Sequence, residues 1–361
     1  MRKNIPQIIV TAFFIGSFNL QSQDIHFSQF NENPSLLNPA LTGAGSVMRV
    51  SAVYRDQWRS VTVPYKTYGV SFESRFKASA WNKVDGQSMT FTKKATGNLT
   101  GGLSFYSDKA GDGNMGTTNV NLSLASFVPL NQKSFISLGL QGSVVQRSLD
   151  FTKLIFSNQY TGTGYDNTII SGENPSNSSF IYADFAGGMA YSYATQDKMI
   201  ASNDQKKATF GFSVYHISQP KQRFLNGSGE KLNMKYVIHG DFLIGIKRSN
   251  VAIAPTFLVQ MQGAAKEIVV GTKVKYYIKE DSKYTGIIQR TSVDLGVYYR
   301  NQDAMIISFT YDKRQKMAIG ISYDLNISSL TKASKLSGGP EIMLRFNTSN
   351  PYLYQKKAKV D

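Results

Sequence analysis

Cysteine is absent from the 361 residues. No disulfide framework and no thiolate metal site can therefore be built. Histidine occurs only at His26, His216 and His239, far apart and in no zinc-type spacing. Charged residues make up 18% of the chain, below the roughly 25% usual for soluble domains. Tryptophan occurs twice and proline ten times. No Gly-x4-Gly-Lys loop is present to cradle a phosphate. After residue 20 no window holds 18 uncharged apolar residues, so nothing later can cross a bilayer as a helix. Acidic charge is also scarce, with 24 Asp and Glu against 40 Lys and Arg, a net charge of +16. An anionic membrane surface, an acidic protein or nucleic acid could answer that charge. The basic pairs are scattered (Lys93-Lys94, Lys206-Lys207, Lys247-Arg248, Lys313-Arg314, Lys356-Lys357) and no basic stripe interleaves with aromatics. Nucleic acid is therefore not an expected partner.

What the chain has in quantity is Tyr (20), Phe (22) and Gly (30). That composition suits many strands and turns, not a helical enzyme.

The N-terminus reads as an address. Arg2 and Lys3 precede an apolar run from Ile8 to Leu20, and small or polar residues follow at Gln21-Ser22-Gln23. This order is that of a secretory signal peptide over 1–22, cleaved near Ser22. An uncleaved anchor helix is the alternative, but the run is shorter than the roughly 20 residues a span needs.

Beyond it the chain alternates. Leu99, Gly101, Leu103 and Phe105 share one face, while Thr100, Gly102 and Ser104 share the other. Val293, Leu295, Val297 and Tyr299 oppose Asp294, Gly296 and Tyr298. Met317, Ile319, Ile321, Tyr323 and Leu325 oppose Ala318, Gly320, Ser322 and Asp324. Side chains alternate across a strand, so each segment is a strand with one apolar and one polar face. About fourteen such segments begin near 46, 67, 97, 117, 133, 179, 207, 235, 249, 266, 289, 303, 314 and 339.

A soluble sandwich or propeller would bury the apolar faces inward. A transmembrane antiparallel β-barrel would turn them toward lipid. Segment lengths match the 9–11 residues that cross a membrane at a tilt. The small polar opposite faces suit a crowded, wet interior. Aromatics at strand ends (Phe105-Tyr106, Tyr276-Tyr277, Tyr298-Tyr299) suit an interfacial girdle, although β-propensity alone also places aromatics in strands. The expected fold is an all-β outer-membrane barrel over 46–347. It is preceded by a periplasmic N-terminal segment at 23–45 and followed by a basic periplasmic tail at 348–361. With residue 46 at the periplasmic end, 129–132, 248 and 312–313 become short periplasmic turns, and the longest gap, 148–178, falls outside. The 77–96 connection would then be long and periplasmic.

Asp24-Ile-His-Phe27-Ser28-Gln29-Phe30 is followed by Asn33-Pro34, Leu37-Asn38-Pro39-Ala40 and Gly43. Tyr54-Arg55-x-Gln57-Trp58 ends the first strand. This order resembles the N-terminal signature of the PorP/SprF family of type IX secretion proteins. Further segments are similar: Gly101-Gly-Leu-Ser-Phe105 with Asp108-Lys109-x-Gly111, Phe210-Gly-Phe212, Val293 to Arg300, Ile319 to Asp324, and Glu341-Ile-Met-Leu344. Glu32 departs from the pattern, where a more apolar residue is expected.

The resemblance implies an outer-membrane barrel serving the type IX system of Bacteroidota, accessory to the translocation pore. It implies as partners an exported cell-surface adhesin of the gliding type, other periplasmic and outer-membrane secretion components, and outer-membrane lipid. From the residues themselves, neither a cofactor nor catalysis is expected.

The residues themselves add a physical reading. Asn33-Pro34 and Asn38-Pro39 force extended, turn-rich backbone, because a residue before proline avoids the helical region. With Phe27, Phe30, Leu36 and Leu37, the segment could fold into the periplasmic mouth and partly plug the lumen, or remain a linker. Trp58 is read as an interfacial anchor, with a surface-partner contact as the alternative. Asp108 to Gly113 reads as a turn that lacks the ligands of a full calcium loop. His216 and His239, with Asp241, are the residues a hydrolytic site would draw on, but no nucleophile elbow accompanies them. The tail is read as a mobile strip, with a docking peptide as the alternative.

Overall fold

The computed structural model describes residues 24–59, 63–76, 98–131, 133–166, 168–172, 178–195, 203–224, 229–279, 290–328 and 331–348. The leader at 1–22, the 77–96 connection and nearly all of the tail lie outside these residues.

Fourteen strands form one closed antiparallel barrel. They are β1 (Met48–Gln57), β2 (Tyr65–Arg75), β3 (Asn98–Ala110), β4 (Met115–Pro129), β5 (Ser134–Ser148), β6 (Ser179–Ala194) and β7 (Lys206–Tyr215). Then come β8 (Lys235–Gly245), β9 (Val251–Gln262), β10 (Ala265–Lys279), β11 (Thr291–Arg300), β12 (Ala304–Lys313), β13 (Met317–Asn326) and β14 (Ser337–Asn347). Each pairs with its sequence neighbour, and β14 closes on β1 from Arg49↔Asn347 to Arg55↔Glu341. A two-residue ribbon, Lys221–Gln222 with Glu230–Lys231, lies in the β7–β8 connection. Among the described residues no helix is long and apolar enough to cross a membrane.

The register explains why alternation was so legible. Ser51, Ser71, Ser104, Asn121, Ser143 and Asp184 lie opposite one another across β1 to β6. All six are buried, facing the lumen. The next rung, Ala52, Val70, Phe105, Val120, Val144 and Ala183, faces outward. A slip of one residue would put every polar rung into lipid, so one register is enforced. Outward Leu122, Leu140 and Leu295 are each at least 60% exposed. Apolar side chains thus clothe the outside and polar ones the inside, which rules out the soluble sandwich.

Two expectations change. The aromatic pairs do not all belong to a girdle: Phe105, Tyr276 and Tyr299 face outward, but Tyr277 and Tyr298 are buried inside, and Tyr106 lines an internal cavity. Adjacent residues in a strand must point opposite ways, so only one of each pair can meet lipid. The β12–β13 turn falls at 314–316, because the ladder runs on to Lys313↔Met317. Arg314 and Gln315 both adopt positive φ there, closing the hairpin without glycine.

One rim of the barrel bears the start of β1, the end of β14 and the short 130–133, 246–250 and 314–316 turns. The opposite rim bears the long 149–178 and 216–234 connections together with the tight 263–264 and 301–303 turns, and is called the loop rim below.

Candidate functional site

The lumen is occupied by the chain's own residues 24–45. The sequence leaves open a partial plug entering from the periplasmic mouth or a linker. In the structure it runs through the lumen, from Asp24 at the loop rim to Gly43 beside the end of β2 and the start of β3.

Two prolines shape its middle. Pro34 opens the helical turn Pro34–Leu37 and Pro39 opens Pro39–Leu41, each at a first position where the missing N–H costs nothing. Asn38 lies between them, fully buried. Its Oδ1 accepts the N–H of Ala40 at 2.9 Å, and its Nδ2 donates to the carbonyls of Met189 (3.1 Å) and Phe212 (3.3 Å). Nδ2 also lies 3.2 Å from His239 Nε2. Backbone can come this close to the wall because the wall is bare there. A Cβ on Gly139 would stand 2.3 Å from the Pro39 carbonyl carbon, and one on Gly188 would stand 2.0 Å from Asn38 Oδ1.

On the loop-rim side a buried ionic network grips Ser28 and Gln29. The Glu341 carboxylate accepts both backbone N–H groups, at 2.7 and 2.8 Å. Ser28 Oγ donates to Asp324 at 2.6 Å and accepts from Arg300 at 3.1 Å. Arg55 donates to Asp324 (2.7 Å) and to the carbonyl of His26 (2.6 Å). Arg300 bridges Asp324 (2.9 Å), Asp303 (3.0 Å) and Glu267 (3.3 Å). Each carboxylate thus meets a guanidinium or a backbone donor, the condition for burying charge without a large penalty.

Further along, Glu32 is buried among Arg345, Lys273 (3.1 Å) and Arg49 (3.8 Å), and Arg345 also holds Asp312 at 2.6 Å. At the far end the Gly43 N–H donates to Glu73 (2.8 Å), its carbonyl accepts from Arg75 (2.7 Å), and Thr100 donates to the Thr42 carbonyl (2.7 Å).

The segments that resembled a family in sequence are scattered along the chain, yet they meet here. Arg55, Arg300, Asp324 and Glu341, from four separate motifs, converge on Ser28 and Gln29. Gly211, between Phe210 and Phe212, faces Asn38, and Gly102 faces Thr42. Their common element is the lumen segment. A family model described as "Type IX secretion system membrane protein PorP/SprF" matches residues 19–346. The chain belongs to the PorP/SprF family. It is an outer-membrane barrel of the type IX secretion system, and the family and fold point to a secretion or transport membrane protein, not to an enzyme.

No curated protein sequence matches the chain. Solved structures similar to this PorP/SprF barrel include the Ralstonia pickettii toluene transporter TbuX (8% identity, 87% of this chain and 93% of that one, TM-score 0.43). The P. putida toluene transporter TodX (10% identity, 88% and 94%, TM-score 0.43) and the beta domain of the Bordetella autotransporter BrkA (7% identity, 83% and 98%, TM-score 0.40) are also similar.

The remaining residues singled out from the sequence divide by location. Phe27, Asn33 and Ala40 are buried in the lumen with Ser28, Gln29, Asn38 and Pro39, and Pro34 is half-buried beside them. Arg55 joins them from β1. Tyr54 faces outward, its ring tilted against that of Tyr68 with centroids 4.9 Å apart. Gln57 ends β1 at the loop rim. Trp58 follows at φ 56°, donates its N–H to Gly338 (2.8 Å) and packs edge-on against Tyr65. Tyr54, Gln57 and Trp58 therefore stand apart from the lumen network.

Sequence reasoning did not find Glu73, Asp184, Lys235, Lys273 or Arg345. A charged residue on the inner face of a predicted strand was the available signal. Asp108 accepts from Thr67 at 2.6 Å, which ties the Asp108–Gly113 stretch to β2. Glu32, the departure from the family pattern, is the hub of its own ion cluster.

His216 and His239 do not combine. His216 sits between Asp24 (2.6 Å from Nε2) and Asp184 (2.7 Å from Nδ1), and Lys235 lies 3.7 Å from Asp24. Ser218 donates to Asp184 instead of to the imidazole, so the order of a Ser-His-Asp relay is not formed. Burial alone would raise the Asp24 carboxyl, but His216 and Lys235 hold it below its usual range. Burial alone would lower His216, but the Asp24 and Asp184 carboxylates carry it up to about 9.

A histidine pKa raised on docking stabilises the docked state fully below about 6.5, and that stabilisation is lost as pH rises through about 9. Because the chain lacks cysteine, one nitroxide label at Ile25→Cys reports this end cleanly. Its mobility is expected to rise as pH climbs through that window, and to stay flat across it in His216→Gln. An equal alkaline rise in His216→Gln would remove the latch from His216.

Proposed function

We propose that this barrel is an anchor, not a passage, in type IX secretion. It holds an exported surface adhesin at the outer membrane and meets periplasmic secretion or motor components from the other side. The observation that carries this reading is the filled lumen: residues 24–45 are tied into the wall by Asn38, Glu32, Glu341, Arg55 and Arg75, leaving loops and turns as the surfaces for partners. Both barrel ends and the 130–133, 246–250 and 314–316 turns at one rim fit a periplasmic side, and the long 149–178 connection fits the exterior. Cleavage near Ser22 would leave Asp24 close to a free end, which a segment docked at the loop rim requires. The family and the net charge of +16 support acidic protein domains and anionic lipid headgroups as further partners.

The alternative is a passive channel or small-solute transporter. A cavity between the segment and the wall favours it, with Asn121, Gln141 and Ser143 on one side and Phe30, Leu37 and Tyr215 on the other.

Conductance and secretion separate the two. The purified barrel is expected to pass little current, and deletion of 24–45 to open it. Loss of the whole protein is expected to strip one adhesin from the cell surface. A large steady current from the intact protein, with surface proteins unchanged when it is lost, would favour the channel.

A further inference from the structure

β6 has 16 residues and β7 has 10. Their ladder runs only from Gly187↔Val214 to Ala194↔Lys207. On the other side β6 pairs with β5 along its length, including Gln141↔Ala186 through Ser148↔Ser179. The half of β6 nearest the loop rim therefore has a strand on one side only.

The direction of its backbone groups follows from their alternation. The Ala190 carbonyl points toward β5, where it accepts from Ser137, and the Thr195 N–H points toward Lys206 on the β7 side. Odd-numbered residues thus aim both backbone groups at the gap. The Phe185 carbonyl accepts the N–H of Ile217 at 3.1 Å. Beyond it, the N–H and carbonyl groups of Ala183 and Ile181 meet no hydrogen-bond partner among the described residues.

The connection after β7 does not close this edge. Ser218 bonds Asp184, Gln222 bonds Tyr182 and Phe224 packs on Phe180, with centroids 4.8 Å apart. Those are the even-numbered, inward-facing residues of β6, so the connection covers the lumen side and leaves the edge open.

The edge begins at the level of lipid. Phe185 and Ile181 face outward at 56% and 68% exposure, and Ala183 pairs with outward-facing Val144. Hydrocarbon offers no donor or acceptor, and open sheet edges are not tolerated in it. A small solute could answer one or two of these groups. An extended polypeptide answers all of them, because its own groups repeat every second residue, at the spacing of a strand.

We infer that the β6 edge Ser179–Ala183 receives an extended segment of a partner polypeptide as an added strand. That segment carries apolar side chains outward to lipid and polar side chains toward Asp184 and Tyr182. The inference rests on the anchoring reading, which supplies an exported protein as the owner of the segment.

Photo-cross-linking amino acids placed singly at Ser179 and Ile181 in living cells test it. Adducts are purified from outer membranes and the joined residues mapped. The two positions are expected to label residues two apart on one segment of one exported protein. Ala183→Pro removes the edge N–H at a position where an edge strand tolerates proline. It is expected to abolish both adducts while the barrel keeps its heat-modifiable migration, and Ala183→Val is expected to retain them. Adducts confined to lipid, to a second copy of this chain or to scattered positions would overturn the inference, as would their survival in Ala183→Pro. If the exported protein still leaves the surface when this chain is lost, the anchoring reading stands although the edge does not.

Discussion

Glu32→Gln is expected to release the lumen segment while leaving the barrel intact. The substitution keeps the shape of the side chain and removes its charge. Arg345 retains Asp312, but Lys273 loses the carboxylate 3.1 Å away, and Arg49 loses one within 3.8 Å. Breaking a buried ion pair by removing one member costs about 3–5 kcal/mol, because the other charge stays buried without compensation. The wall does not depend on this cluster: fourteen strands remain hydrogen-bonded around the ring. The cost falls on the docked state of residues 24–45. Protease cleavage within that stretch should rise steeply, and single-channel current should appear where the parent protein passes little.

A second substitution makes the result specific. Lys273→Met added to Glu32→Gln removes the stranded ammonium, so part of the lost docking should return; coupled neighbours are non-additive in this way. A Glu32→Gln protein as protease-resistant and as silent as the parent would show that the backbone bonds at Ser28, Gln29 and Gly43 and the Asn38 amide hold the segment without this ion cluster.

The barrel was legible because its physics is local. Alternation needs only the residue two places on, so Leu99, Leu103 and Phe105 disclose a strand without knowledge of its neighbours. All fourteen strands start within three residues of where the pattern places them. The lumen network was not legible, because its members are held by register across the ring. Ser28 and Glu341 lie 313 residues apart, and only closure of β14 on β1 puts them within 2.7 Å. A charge such as Glu341 or Lys273 on an inner face can meet water or a partner, and the strand pattern is the same for both. Resemblance to a family marked Arg55, Asp324 and Glu341 as places of interest without saying what they share. Glu32 shows the limit most clearly: against the pattern of the segment it looks out of place, and against the wall it meets three cations.

Gly139→Ala is expected to loosen the same segment, although it adds a single methyl group. The inner face of β5 at that point touches backbone, not side chain. An added Cβ would stand 2.3 Å from the Pro39 carbonyl carbon, 2.4 Å from the Ala40 nitrogen and 2.5 Å from the Pro39 oxygen. None of these atoms can swing aside as the end of a long side chain can. Pro39 is locked at its φ, and Ala40 is held by Asn38, whose amide is bonded in turn to the carbonyls of Met189 and Phe212. Relief therefore requires the whole turn Pro39–Leu41 to lift from the wall, or β5 to bow outward. Overpacking of this kind costs about 1–3 kcal/mol, roughly a fivefold to hundredfold loss in the docked population. Gly142→Ala, on the same strand, is the matched control, because its Cβ would meet only the Phe185 ring at ordinary contact distance, 3.9 Å. Protease sensitivity of residues 24–45 is expected to rise in Gly139→Ala and stay at the parent level in Gly142→Ala. Equal behaviour of the two proteins would mean that Pro39 does not rest on β5, and the Asn38 anchor would then have to be placed elsewhere.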